Sequence, residues 1–210
     1  MMFYKFLLII FLFVPVLTHA GNVETGLSFG PSLVFDEDFN GNNRKSAIHM
    51  DLGAGLLFDL DCGRGFFCQG FKIGPSFHYI FPAGYNFSAT QMPSTGVVGN
   101  FSEKVEYFLA GLVFQKNFFK KQKIQPALNL TLGCSQIKIS DIAYNYALAN
   151  PLNIDVSRSA WQFYAEPSFN IYYAITRKIK TGVGISIFLT IPDGLGSAGI
   201  RLPFTIAYNF

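Results

Sequence analysis

From Thr25 to Phe210 apolar side chains return at every second position, in one stretch after another. Nowhere beyond Leu17 do they run together long enough to make an apolar helix. A period of two is the mark of a strand with two unlike faces. The chain is also short of charge: Asp, Glu, Lys and Arg make up 14 %, against about a quarter in an ordinary soluble domain. Aromatic residues reach 17 %, with 24 Phe. So little charge cannot coat a soluble surface of this size. Apolar composition without an apolar helix points to a closed sheet that turns its greasy face outward to lipid.

The alternation places eight strands. Thr25 to Phe35 sets Leu27, Phe29, Pro31, Leu33 and Phe35 outward, with Gly26, Ser28, Gly30 and Ser32 inward. Ile48 to Leu60 sets Ile48, Met50, Leu52, Ala54, Leu56 and Phe58 against His49, Asp51, Gly53 and Gly55. Phe67 to Phe81 sets Phe71, Ile73, Pro75, Phe77, Tyr79 and Phe81 against Lys72, Gly74, Ser76 and His78. In Glu103 to Lys116 both faces are apolar; Phe108, Ala110, Leu112 and Phe114 are assigned outward. Ile124 to Ile137 turns Leu128, Leu130 and Leu132 out and Asn129, Thr131 and Ser135 in. Ser159 to Ile175 alternates most cleanly, with Trp161 through Tyr173 opposite Gln162 through Tyr172. Lys180 to Ile191 and the final stretch complete the set.

The links alternate in length. Asp36–Ala47, Pro82–Ser102, Lys138–Arg158 and Pro192–Ala198 are longer or more polar; Asp61–Phe66, Asn117–Lys123 and Thr176–Ile179 are short. Outer-membrane barrels have this layout, with long loops outside and short periplasmic turns. Two of the short turns and their flanks carry Lys116, Lys120, Lys121, Lys123, Arg177, Lys178 and Lys180, all expected to meet anionic headgroups. Residues 1–20 combine Lys5, an apolar run from Phe6 to Leu17 and Thr18-His19-Ala20, the form of a secretory signal cut before Gly21. That leaves 21–210 as one barrel domain.

The last strand, "GIRLPFTIAYNF", carries Ile200, Leu202, Phe204, Ile206, Tyr208 and Phe210 on one stripe. It resembles the C-terminal targeting strand of bacterial outer-membrane β-barrels. With "FGPSLVF", "IGPSFHYIF" and "EPSFNIYY", the chain looks like the small porin-like, OmpX- and OmpW-like barrel families. The resemblance implies an all-β, eight-stranded antiparallel up-and-down barrel in the bacterial outer membrane. It also implies that Phe204, Ile206, Tyr208 and Phe210 form an assembly signal read by the barrel-assembly machinery. A soluble lipocalin-like barrel is the structural rival, but it would turn its apolar face inward.

The inward charges are few. Register counted across the two preceding links sets Glu166 beside Phe188 and Phe188 beside Arg201, so Glu166 and Arg201 are expected to pair in the lumen. His49, Asp51, Lys72, His78 and Tyr164 are expected to form a polar lumen network with them. Cys62 and Cys68 are candidates for a disulfide in the first short turn, although simple alternation points them to opposite faces. Cys134 falls on the lipid face. No nucleotide loop, zinc signature or nucleophile elbow is present, so neither cofactor nor metal is expected.

An eight-stranded barrel is just filled by its own side chains, which argues against a general pore. The net charge, +3 with Lys5 counted, gives no case for nucleic acid. The expected partners are outer-membrane lipid and lipopolysaccharide, the assembly machinery, and a host or surface ligand held by the loops. The expected role is structural, adhesive or surface-binding, without enzymatic activity. Two alternatives stand beside it: a conduit for small hydrophobic molecules, and a lipid A modifying enzyme built on His49, Asp51, Ser76 and His78. The second lacks the deacylase signature and would need its site open to the bilayer.

Overall fold

The computed structural model describes residues 22–37, 44–60, 70–91, 98–119, 122–146, 158–191 and 197–210. The expected signal segment 1–20 and the candidate disulfide pair Cys62 and Cys68 lie outside the described residues. Among the described residues strands follow one another without a helix: β1 (Val23–Glu37), β2 (Arg44–Asp59), β3 (Phe71–Gln91), β4 (Val98–Asn117), β5 (Ile124–Tyr146), β6 (Arg158–Ala174), β7 (Ile179–Ile191), β8 (Ser197–Arg201) and β9 (Phe204–Asn209). From β1 to β7 each pairs antiparallel with its sequence neighbour, and β8 and β9 both pair with β7 on one side and β1 on the other. The sheet therefore closes on itself.

β8 and β9 are two halves of one strand. Ser32 lies opposite Arg201 and Phe29 opposite Phe204, so the register is the same on both sides of the break. The break falls at Pro203, which has no N–H to give the ladder. The backbone is still stitched there, because Leu202 N–H donates to Pro31 O at 3.0 Å and Gly184 N–H donates to Pro203 O at 2.9 Å. The result is an eight-stranded barrel with no free edge through its closing seam.

The two faces divide as the alternation requires. Leu27, Met50, Leu52, Leu130, Phe163, Val183 and Ile206 are exposed, while Ser32, Asp51, Ser76, Gln115, Thr131, Glu166 and Asn170 are buried. Phe58 departs from this: although outward by parity, it is 2 % exposed, at a position opposite Val23 on β1 and Ile73 on β3.

The Pro82–Ser102 link turns out to be mainly strand, and Lys138–Arg158 starts as strand. β3 continues past Pro82 to Gln91, β4 begins at Val98, and β5 runs on to Tyr146. The ladder shifts between Ile80 and Ala83 and again between Phe87 and Thr90. Such irregularities break the two-residue phase, which is why the extension reads as loop. At the opposite end Gly70, the turn residue just before β3, has φ 74°, and Asn117 N–H donates to its carbonyl at 2.8 Å. A Cβ at Gly70 would stand 2.6 Å from Asn117 O, so this turn needs glycine both for conformation and for space.

Candidate functional site

The lumen is filled in layers. Toward the long-strand end, Val34, Ile80, Val105, Tyr107, Leu109, Ile137, Tyr164 and Phe188 form a buried apolar cluster. The Phe188 ring lies over Gly199, where any Cβ would collide with it, and its centroid is 6.3 Å from that of Tyr107. The alternation does not anticipate this plug, because Val34, Leu109 and Phe188 are apolar residues on the polar face.

Below it sits an ionic layer centred on Arg201, which is 1 % exposed. Arg201 Nη1 donates to both carboxylate oxygens of Glu166 at 2.7 Å. Its Nε pairs with Asp51 and its Nη2 contacts His78 Nδ1. His78 Nδ1 is also 3.5 Å from Asp51 Oδ1. One guanidinium thus binds residues from β2, β3 and β6 to the last strand. Half of the expected register is corrected here: Glu166 is level with Phe188, between the pairs Ala165–Leu189 and Ser168–Ser186, but Arg201 lies opposite Ser186, and Phe188 lies opposite Gly199. The shift leaves a small side chain between Glu166 and Arg201, and room for their heads to meet.

The expected single network divides. His49 leaves it, its Nδ1 lying 2.9 Å from Phe81 O and its ring edge-on to Tyr107. Tyr164 joins the apolar plug. Lys72 belongs to a second ionic layer near the short-turn end. There Glu24 Oε2 is 2.5 Å from Lys72 Nζ, Glu24 Oε1 is 2.8 Å from Lys180 Nζ, and Asp59 Oδ1 is 3.3 Å from Lys72 Nζ. Lys180 also stands 4.1 Å over the Tyr172 ring. Lys180 is therefore a lumen residue, not a headgroup contact: its parity points it inward, and Glu24 neutralises it there. Sequence reasoning misses Glu24, whose partner Lys180 sits on a strand that only the closed barrel brings near, and Asp59, although it lies directly opposite Lys72 on the neighbouring strand.

Between the two ionic layers lies a cavity of about 110 Å³, touched by both Glu24 and Arg201. Ser76 Oγ, Asn129 Oδ1, Asn170 Oδ1 and Ser186 Oγ line it without a protein hydrogen-bond partner. A polar chamber of that size suits ordered water.

The outer surface carries its own boundary marks. Tyr79, on the outward face, donates to Glu106 Oε2 at 2.6 Å, and Lys138 Nζ is 3.0 Å from Glu106 Oε1. Toward the short-turn end Tyr208 packs against Phe210 with centroids 5.0 Å apart, and Lys178 stands 5.7 Å from the Tyr208 ring. Aromatic and charged residues of this kind rim the apolar band of membrane barrels. Phe204, Ile206, Tyr208 and Phe210 all face outward along the closing strand, and Phe210 is 69 % exposed. The four residues of the enzyme alternative, His49, Asp51, Ser76 and His78, all face the lumen, on the opposite side of the wall from lipid. Cys134 is a free, half-buried thiol on the outward face.

No protein-family model matches the chain, and no curated protein matches it in sequence. Solved structures do. It is similar to the Neisserial surface protein A, with a TM-score of 0.56 and 11 % identity over 90 % of this chain and 99 % of that one. It is also similar to a major outer membrane protein from Thermus thermophilus, with a TM-score of 0.52 and 10 % identity over 89 % of this chain and 99 % of that one. Identities so low speak to the fold alone, and with the apolar outer band and polar lumen they agree on it: the chain is a small eight-stranded β-barrel of the bacterial outer-membrane kind.

Proposed function

We propose that this barrel works by surface binding through a sheet that projects from its long-strand end, while its lumen stays closed to solutes. The carrying observation is the length of three neighbouring strands. β3, β4 and β5 have 21, 20 and 23 residues, whereas a tilted strand crosses a bilayer with about 9–11. β3 and β4 stay paired out to Gln91 and Val98, and β4 and β5 out to Gly99 and Tyr146. Among the described residues the pairing of β3 with β2 stops at Ile80, and β5 pairs with β6 up to Ile139, opposite Arg158 where β6 begins. A three-stranded blade thus stands beyond the lipid band, and past Ile80 its β3 edge is unpaired by β2 among the described residues. Such edges offer main-chain donors and acceptors to an extended partner segment. The three filled layers of the lumen support the same reading, since they oppose free diffusion.

The test is adhesion of cells displaying the protein to protein- and glycan-coated surfaces, compared with a variant whose blade is shortened by deleting 84–104. Lost adhesion, with heat-modifiable gel mobility kept, is the expected result. Unchanged adhesion would reject the blade as the binding element. A large steady conductance in planar bilayers would reject the closed lumen.

A further inference from the structure

The basic residues of the short-turn end do not all lie on the outside of the barrel. The mouth there is a vestibule of about 240 Å³, and six of its lining side chains are charged. Lys72, Lys180, Arg177 and Lys178 supply the cations; Glu24 and Asp59 supply the carboxylates. Both carboxylates are engaged by the buried lysines: Glu24 by Lys72 and Lys180, Asp59 by Lys72. Arg177 and Lys178 are exposed and carry no carboxylate partner among the described residues. Side-chain charge in the vestibule is therefore positive by two.

Donors remain as well as charge. An ammonium has three N–H groups and a guanidinium five. Lys180 gives one to Glu24 and directs its charge at the Tyr172 ring, while the Arg177 fork is uncommitted among the described residues. The wall below is sealed by the Glu24–Lys72–Lys180 layer, so an anion entering here meets screened water on one side only. Burial makes Lys72 and Lys180 count for more than they would on an open surface, while Arg177 and Lys178 stand exposed at the rim.

We propose that this vestibule binds a phosphate-type oxyanion from the periplasmic side, the side that short turns face in barrels of this layout. The side-chain surplus favours an anion, and the unspent donors favour one with more acceptor oxygens than a carboxylate, a phosphate group. Its oxygens also fit the guanidinium fork and two or three point donors at once. The group comes either free in solution or on an inner-leaflet phospholipid headgroup. Lys178 connects the vestibule to the lipid side, because its Nζ reaches Tyr208 Oη at 3.4 Å while the residue also lines the mouth.

The experiment titrates inorganic phosphate into the purified barrel in a phosphate-free maltoside detergent, followed by calorimetry. The wild type should bind saturably at one site. Arg177→Gln combined with Lys178→Gln should weaken binding by at least about tenfold, the loss of a charge-assisted contact. Arg177→Gln alone should weaken it measurably. Lys123→Gln, in another short turn and outside the vestibule, should leave it unchanged. Heat-modifiable mobility checks that each variant is folded. Nanodiscs then separate the sources: weaker phosphate binding in phosphatidylglycerol discs than in phosphatidylcholine discs identifies the headgroup as occupant. Equal affinity in both identifies a soluble phosphate. No saturable binding by the wild type, or equal binding by the double variant, overturns the proposal.

Discussion

Arg201 Nη1 stands 2.7 Å from both carboxylate oxygens of Glu166, although β7 lies between their strands. The contact spans two strand spacings because Ser186, opposite Arg201 on β7, is too small to fill the space. Arg201 also holds Asp51. Removing the guanidinium therefore strands two buried carboxylates, while removing Glu166 strands none. Arg201→Met should cost about 3–5 kcal/mol, the range for breaking a buried pair. Glu166→Gln should cost less, about 1–3 kcal/mol. Urea unfolding in lipid vesicles measures both, and an equal or reversed order would show that Asp51 does not depend on Arg201.

The apolar plug and the Arg201 layer block the lumen in series. Phe188→Ala, at a position with no solvent exposure, should cost about 3–5 kcal/mol and leave a void beside Tyr107. Conductance should nevertheless stay near the wild-type level, because the ionic layer below is intact. A steady current through Phe188→Ala in a planar bilayer would show that the plug alone closes the barrel.

What could be read from sequence depended on whether local pattern carried the information. β6 was legible to within a residue: from Trp161 to Tyr173 nothing interrupts its alternation, and its two faces differ in chemistry throughout. The blade was not legible, because the irregularity after Ile80 puts later residues out of phase with the barrel. The plug was hidden for a different reason. Filling a narrow barrel needs bulk, and bulk on the lumen face can be apolar, so "VEYFLAGLVF" looks two-sided and Phe188 looks like an exception. Lys180 could not be told from Lys178 by composition; only depth separates them, and depth is set by pairing to Glu24 on β1. The meeting of Glu166 with Arg201 followed from which faces they share. The intervening residue depended on the 192–196 link, and the expected register was out by two.

The lipid face can be tested one residue away from the lumen face. Leu130 is 41 % exposed and lies near the middle of the stretch of β5 that pairs with β6, while its neighbour Asn129 points inward and donates from Nδ2 to Ser168 Oγ at 3.0 Å. Leu130→Arg puts a charge into hydrocarbon and should cost about 2–4 kcal/mol. Ile124→Arg, at the short-turn end of the same strand, should cost about 0–1 kcal/mol, because depth sets the penalty. Refolding titrations in vesicles give the comparison; equal penalties would contradict the placement of Leu130 at the bilayer centre.

The closing residue separates stability from assembly. Phe210 N–H donates to Val23 O at 2.9 Å, a backbone contact that any residue at this position other than proline can make. Its ring is 69 % exposed and packs on Tyr208 at the rim. Phe210→Lys therefore keeps the ladder and should shift refolded stability by no more than about 1 kcal/mol, the scale of a rim substitution on a barrel's lipid face. Deleting Phe210 removes the hydrogen bond as well and should lower stability further, by about 0.5–1.5 kcal/mol. If Phe210 acts as an assembly signal, the order should collapse in cells, because the signal is lost equally in both variants. Heat-modifiable mobility of membrane fractions, compared with the same assay after refolding in vitro, reads the two effects apart. Normal membrane assembly of Phe210→Lys would remove the signal role from Phe210 and leave it a rim anchor.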